Sequence, residues 1–262
     1  MATIHVRREP PAFRRIEVRR TEPLSPRLLR ITFGGADLAG LDIGLPAASV
    51  RLLLPPRGTA ALVIPTWNGN EFLHADGERP TIRTYTPRRF DPDALELDLD
   101  VVLHERGVVS AWARASQPGD PAAISGPGRG YTIDGSARAF LLAGDESAVP
   151  AMSQLLGHLP EHASVHVIIE VGHPDARHAL PSHTGATVHW CDLPPGAPPG
   201  DALGVAVMAA ELDADVQVWA AGEAAAVHRI RRHLFEERGL ARSQAVVRGY
   251  WKQGRGGDVD EG

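Results

Sequence analysis

In an extended chain side chains alternate between faces, so in the run Arg83-Thr84-Tyr85-Thr86-Pro87 the residues Arg83 and Tyr85 project together, a fixed cation beside an amphipathic ring. That pair suits a phosphorylated, flat, partly polar ligand. A guanidinium grips phosphate bidentately, a phenol ring packs on a flat heterocycle or a sugar-like chain, and Thr86 offers a hydrogen bond to a ring heteroatom. Pro87, lacking an N–H, is expected to end the ladder. An arginine in a Thr/Tyr-rich strand is equally compatible with plain structure, so the ligand reading needs support from other stretches.

Three stretches are candidates to give it. Gly107-Val108-Val109-Ser110 reads as a helix start whose backbone N–H groups and hydroxyl can receive a pyrophosphate, or as a serine capping its own helix. Asp145-Glu146-Ser147-Ala148 follows an apolar strand and leads into a helix with Pro150 in its first turn. Gly222-Glu223 stands in the same relation to a later strand and helix, although Glu223 can equally serve only to stabilise that helix start. Nucleotides bind at such strand-to-helix loops in open α/β folds, but the Gly-x-Gly-x-x-Gly fingerprint is absent.

Other chemistries lack their residues. Seven histidines fall between His158 and His189, yet they lie in turns or alternate along strands and share no helix face, so no metal-ligand set is nominated. Cys191 is the only cysteine, which removes disulfides and cysteine-ligated clusters. There is no Gly-x-Ser-x-Gly elbow, and the carboxylates are too dispersed to pair as acid and base. Redox chemistry carried by a cofactor needs none of these groups.

The elements that would position these residues change character along the chain. Residues 13–20, 28–33, 50–54, 81–86, 95–103 and 122–125 read as six strands between Pro/Gly turns, the pattern of an antiparallel β-barrel. The clearest has Leu95, Leu97, Leu99, Val101 and Leu103 on one face, with Glu96, Asp98 and Asp100 between them; Val102 and His104 end the opposite face. From Arg138 strands at 139–144, 165–171, 187–190, 216–221 and 245–250 alternate with helices, the signature of a Rossmann-like parallel α/β sheet. The reading is a barrel over 1–135, an α/β domain over 136–254 and a disordered tail over 255–262. A length of 262 residues accommodates two cores, and a net charge of -5 disfavours nucleic acid. Neither a signal peptide nor an apolar run of membrane-spanning length is visible, so the expected place is the cytoplasm, without membrane insertion.

Read in order, Arg83 to Pro87, Val101 to Ala113, Ala143 to Ala151 and the closing Arg248-Gly249-Tyr250-Trp251-Lys252 together resemble the siderophore-interacting protein family, ferric-siderophore reductases of the ferredoxin-NADP reductase superfamily. The resemblance runs from about Phe13 to Lys252. It implies that Arg83, Tyr85 and Thr86 hold the phosphate, ribityl chain and ring edge of FAD, and that Val102, His104, Gly107 and Ser110 line its pyrophosphate and isoalloxazine. It further implies that Asp145, Ser147, Ala148, Gly222 and Glu223 take NAD(P)H, and that Arg51, Arg248 and Lys252 form a basic triad for the ferric siderophore. Glu105 stands for the family's usual glycine and Val108 for its proline, with a shorter gap, which leaves the phosphate contacts of that loop open. The implied activity is NAD(P)H-dependent reduction of chelated Fe(III), with a ferredoxin as a conceivable donor. A general flavin or ferredoxin-type reductase of the same fold, and a carrier that binds siderophores without reducing them, are the alternatives.

Overall fold

A computed structural model of the chain describes residues 10–56, 58–104 and 107–254. The expected tail at 255–262 lies outside the described residues, as do Glu105 and Arg106 of the loop before Gly107. The first half contains β1 (Arg14–Ser25), β2 (Leu28–Gly34), β3 (Val50–Leu54), β4 (Thr66–Trp67), β5 (Phe72–Leu73), β6 (Thr81–Tyr85), β7 (Pro87–Asp91), β8 (Glu96–Val102), α1 (Val108–Ala115) and β9 (Pro121–Ser125). Seven of these strands make one antiparallel sheet in the order β6-β3-β9-β1-β2-β8-β7, and β4 pairs with β5 as a separate hairpin.

The two edges of that sheet, β6 and β7, are consecutive in the chain and separated by Thr86 alone. The sheet therefore curls into a half-barrel, and the chain steps from one edge to the other at Thr86. Pro87 does not end the ladder as expected but opens β7, opposite Leu99 of β8. The first position of an edge strand tolerates a residue without an N–H. That is why a sheet read as six-stranded has seven strands: Pro87-Arg88-Arg89-Phe90-Asp91 carries no apolar alternation to announce itself.

The alternation in β8 sets the packing. Leu97, Leu99 and Val101 are fully buried with Ile31, Phe33, Leu52 and Ile124. The acids between them turn to the other face and meet β2 across the register Arg30↔Asp100 and Thr32↔Asp98. Arg30 Nε donates to Asp100 at 2.7 Å and Thr32 Oγ1 to Asp98 at 2.6 Å.

The second half contains β10 (Ala139–Asp145), α2 (Val149–Leu156), β11 (Ser164–Val171), β12 (Ala186–Asp192), α3 (Asp201–Ala209), β13 (Gln217–Glu223), α4 (Ala224–Arg232) and β14 (Ala245–Trp251). The five strands form a parallel sheet in the order β12-β11-β10-β13-β14. Phe140 and Leu142 of β10 pack with α2 on one face, and Leu141 and Ala143 pack with α3 and α4 on the other. Burial on both faces explains why this strand reads as a continuous apolar run. After α4 residues 233–237 form one π-helical turn, and Gly239, at φ 71, follows it.

Candidate functional site

Arg83 and Tyr85 face the same side of β6, opposite Leu52 and Val50 of β3. The Tyr85 ring packs on the barrel core, and burial pushes its phenol well above the ordinary range. Arg83 Nη1 donates to the carbonyl of Ile82 at 2.6 Å, and Thr86 is buried in the step between the sheet edges. At the start of β6, where Leu54 pairs with Thr81, lies a cavity of ≈ 260 Å³ lined by Leu54, Pro55, Thr59, Thr81, Val108 and Trp112. It reaches the start of α1, where Gly107 is the N-cap and supplies no side-chain cap. Arg83 and Tyr85 share with Thr81, which lines the hollow, one face of β6, and the uncapped start of α1 reaches the same hollow, a donor set that fits a flavin dinucleotide phosphate.

The Ser110 hydroxyl is placed differently from the expectation. It is 2% exposed and accepts the backbone N–H of His104 at 2.9 Å, while lying 3.5 Å from the carbonyl of Val102. It closes the loop into α1 and does not face the cavity. A Cβ at Gly107 would stand 2.8 Å from Ser110 Oγ, so the glycine serves this close approach. The His104 ring lies 6.3 Å from the indole of Trp251 in the second half. Desolvation there, then the charge of Arg27, lower the His104 pKa from 6.5.

At the carboxyl ends of the parallel strands the expected nicotinamide-side residues form an internal network. Asp145 is buried; its Oδ1 accepts Ser147 N–H at 2.9 Å and Oγ at 2.5 Å, and its Oδ2 accepts Glu223 N–H at 2.9 Å and Trp251 Nε1 at 2.7 Å. Four donors occupy the carboxylate, so Asp145 and Ser147 shape the loop through each other. Ala148 is fully buried, and a Cβ at Gly144 would come within 2.5 Å of its methyl; it is a core residue, not a cleft wall. Gly222 has φ 155, and a Cβ there would meet Asp145 Oδ2 at 2.7 Å. Glu223 Oε2 accepts the N–H groups of Ala225 at 2.6 Å and Ala226 at 2.9 Å, so the plainer role of stabilising the start of α4 is the one observed.

Glu170, Gln154 and Arg27 escaped the sequence reading, which did name Arg51, Arg248 and Lys252. Glu170, at the end of β11, accepts Gly200 N–H at 2.7 Å and Leu203 N–H at 2.9 Å and caps α3. Gln154 of α2 holds the other half, its Nε2 donating to Pro87 O at 2.5 Å and its Oε1 accepting Ala47 N–H at 2.8 Å. Arg27, in the turn between β1 and β2, pairs with Glu146 at 3.1 Å. Arg51 lies on the face of β3 opposite to Leu52 and Arg83, paired with Thr84 and Ser125. Arg248 donates from both terminal nitrogens to the barrel, to Arg129 O at 2.9 Å and Gly130 O at 2.7 Å, so it clamps the halves together while keeping its charge. Lys252 is exposed just beyond β14. Arg51 and Arg248 thus border the same 126–130 loop.

A curled antiparallel sheet with a cation–phenol seam, followed by a five-stranded parallel sheet, is the ferredoxin-reductase-like arrangement. The chain belongs to the siderophore-interacting protein family: its siderophore-interacting FAD-binding domain matches residues 17–131 and its siderophore-interacting protein domain residues 137–254. The fold is similar to a siderophore utilization protein from T. fusca, 36% identical, with a TM-score of 0.82 over 94% of this chain and 95% of that one. The sequence is similar to the ferric vibriobactin reductase ViuB of Vibrio cholerae, 29% identical over 90% of this chain and 88% of the relative. It is also similar to the NADPH-dependent ferric-chelate reductase of Escherichia coli, 29% identical over 91% and 92%. FAD is the cofactor. Among the described residues no helix is long and apolar enough to cross a membrane.

Proposed function

We propose that this chain is an FAD-dependent reductase of ferric siderophores with NAD(P)H as the electron donor, working in the cytoplasm, where reduced nicotinamide is held. The observation that carries the reading is β6 and its end: Arg83 and Tyr85 lie on the face of β6 that carries Thr81, Thr86 steps to the other sheet edge, and Thr81 lines a cavity that reaches the uncapped start of α1. Residues 1–135 form the flavin half and 136–254 the nicotinamide half, divided at the turn in which Asp134 Oδ1 accepts Ser136 N–H at 2.9 Å.

FAD, when bound, would supply the exchange between a two-electron hydride donor and a one-electron acceptor such as chelated Fe(III), whose hard oxygen ligands hold the reduced ion weakly. The residues of the chain supply placement. Arg83 and the first N–H groups of α1 hold phosphate charge, and the Tyr85 ring offers a flat packing surface. Arg248 and Gln154 fix the angle between the halves through bonds to barrel carbonyls. Arg51, Arg248 and Lys252 provide positive potential for an anionic chelate.

The test is the absorption spectrum of the FAD-loaded protein under anaerobic conditions. NADPH or NADH should bleach the flavin bands, with reduced ferredoxin as a comparison donor, and a ferric siderophore should then restore them. Protein that takes up no FAD, or a bleached flavin that ferric siderophore leaves reduced, would overturn the reading.

A further inference from the structure

We propose that the Arg27–Glu146 contact marks the point where a phosphate of the nicotinamide dinucleotide docks, with the Glu146 carboxylate standing in the place that a phosphate takes on binding. This rests on the reductase reading. Arg27 belongs to the barrel half, in the turn between β1 and β2, and Glu146 directly follows β10 in the other half. One oxygen of Glu146 accepts Arg27 Nε at 3.1 Å, and the other accepts the backbone N–H of Gly172, one residue past β11, at 2.7 Å. An anion is thus held by a guanidinium and a main-chain N–H at the carboxyl ends of two adjacent parallel strands. That edge is where open α/β sheets receive nucleotides.

The surroundings favour exchange of the anion. A Cβ at Gly172 would stand 3.4 Å from Glu146 Oε1 and 3.5 Å from Arg27 Nη2, which places the Gly172 backbone directly beside both partners of the pair. The Arg27 side chain is 34% exposed and engages Glu146 through Nε, while its terminal nitrogens make no hydrogen bond among the described residues. A planar fork with open donors matches phosphate geometry. Asp145, Glu170 and Glu223 at the neighbouring strand ends are occupied by donors of their own half. Glu146 takes its donors from both halves, so releasing it costs no helix cap, and a phosphate with more charge and more acceptor oxygens can replace it.

The experiment is calorimetric titration of the FAD-loaded protein with NADP⁺ and with NAD⁺, comparing the natural chain with Arg27→Gln and Glu146→Gln. Arg27→Gln should weaken dinucleotide binding by roughly tenfold or more, the loss of one charge-assisted contact. Glu146→Gln should tighten it, because an amide still accepts from Gly172 yet no longer competes for the Arg27 charge; a gain of affinity cannot come from misfolding. Weakening confined to NADP⁺ would place the 2′-phosphate at this point, and equal weakening for both would place the pyrophosphate there. Unchanged binding in either variant, or weaker binding in Glu146→Gln, overturns the assignment. If the natural chain with FAD bound takes neither dinucleotide, the reductase reading falls with it; normal binding by the natural chain beside indifferent variants removes the Arg27 assignment alone.

Discussion

The indole Nε1 of Trp251 donates a 2.7 Å hydrogen bond to Oδ2 of the buried Asp145, 106 positions earlier in the chain. The same oxygen accepts the N–H of Glu223, so one carboxylate joins the carboxyl ends of β10, β13 and β14. It also orients the indole, whose ring lies 6.3 Å from that of His104, so the parallel-sheet half meets the barrel half there.

Replacing Asp145 by alanine orphans buried donors, each costing about 1–3 kcal/mol, and should lower unfolding stability by roughly 3–5 kcal/mol. Trp251→Phe keeps the ring but loses one bond, so about 1 kcal/mol is expected. Urea titrations measure both. An Asp145→Ala variant as stable as the natural chain would mean that the network does not hold the strand ends.

Arg83→Ala should weaken FAD binding by about 1.5–3 kcal/mol, tenfold or more in Kd, read from the fluorescence of released flavin. Unaltered flavin occupancy would remove Arg83 from the phosphate site.

Arg51→Ala and Lys252→Ala should raise KM for an anionic ferric siderophore and flatten its salt dependence, because exposed charges act mainly on encounter and are screened beyond about 8 Å at physiological salt. Arg248→Ala should do the same and also lower Tm, since it releases the carbonyls of Arg129 and Gly130. Initial rates across ionic strengths, with melting curves alongside, separate the two behaviours. A KM indifferent to all three changes would place the chelate on another surface.

Burial is the largest cause of the lowered pKa of both His104 and His166, whose ordinary value is 6.5. Below that value the unfolded chain binds protons that the folded chain refuses, so their contribution to stability is complete above 6.5 and is lost as the pH falls toward the native values. Urea midpoints should therefore drop on acidification through this window. The double variant His104→Gln, His166→Gln should show a smaller drop; an equal one would assign the pH dependence to other groups.

Ala148→Phe should impair folding instead of blocking a cleft, at a cost of about 1–3 kcal/mol or more, because the methyl is fully buried against Gly144. A stable Ala148→Phe protein with slowed flavin reduction would return Ala148 to the cleft wall.

The sequence by itself determined the two halves and their order. Strict alternation through Leu97, Leu99 and Val101 can bury only one face, and the apolar run Phe140-Leu141-Leu142-Ala143 demands cover on both, so each pattern specifies its kind of sheet. It also determined that Arg83 and Tyr85 share a side, because a strand's period is two. What it left open was whom each polar group would meet. Asp145, Ser110 and Glu223 read as ligand contacts, yet the first and third are bonded to each other's segment across 78 positions, and Ser110 is turned onto His104. The cap that Glu223 makes is local and was one of its two readings in the sequence, whereas the cap that Glu170 makes on α3, 30 positions on, exists only once the loops are folded. The step from one sheet edge to the other at Thr86 follows from the curl of the first sheet, and the clamp of Arg248 on the 126–130 loop and the meeting of Arg27 with Glu146 across 119 positions follow from how the two sheets dock. Such bonds join groups far apart in the chain, and a local pattern carries no record of a partner that only tertiary packing brings within 3 Å or so.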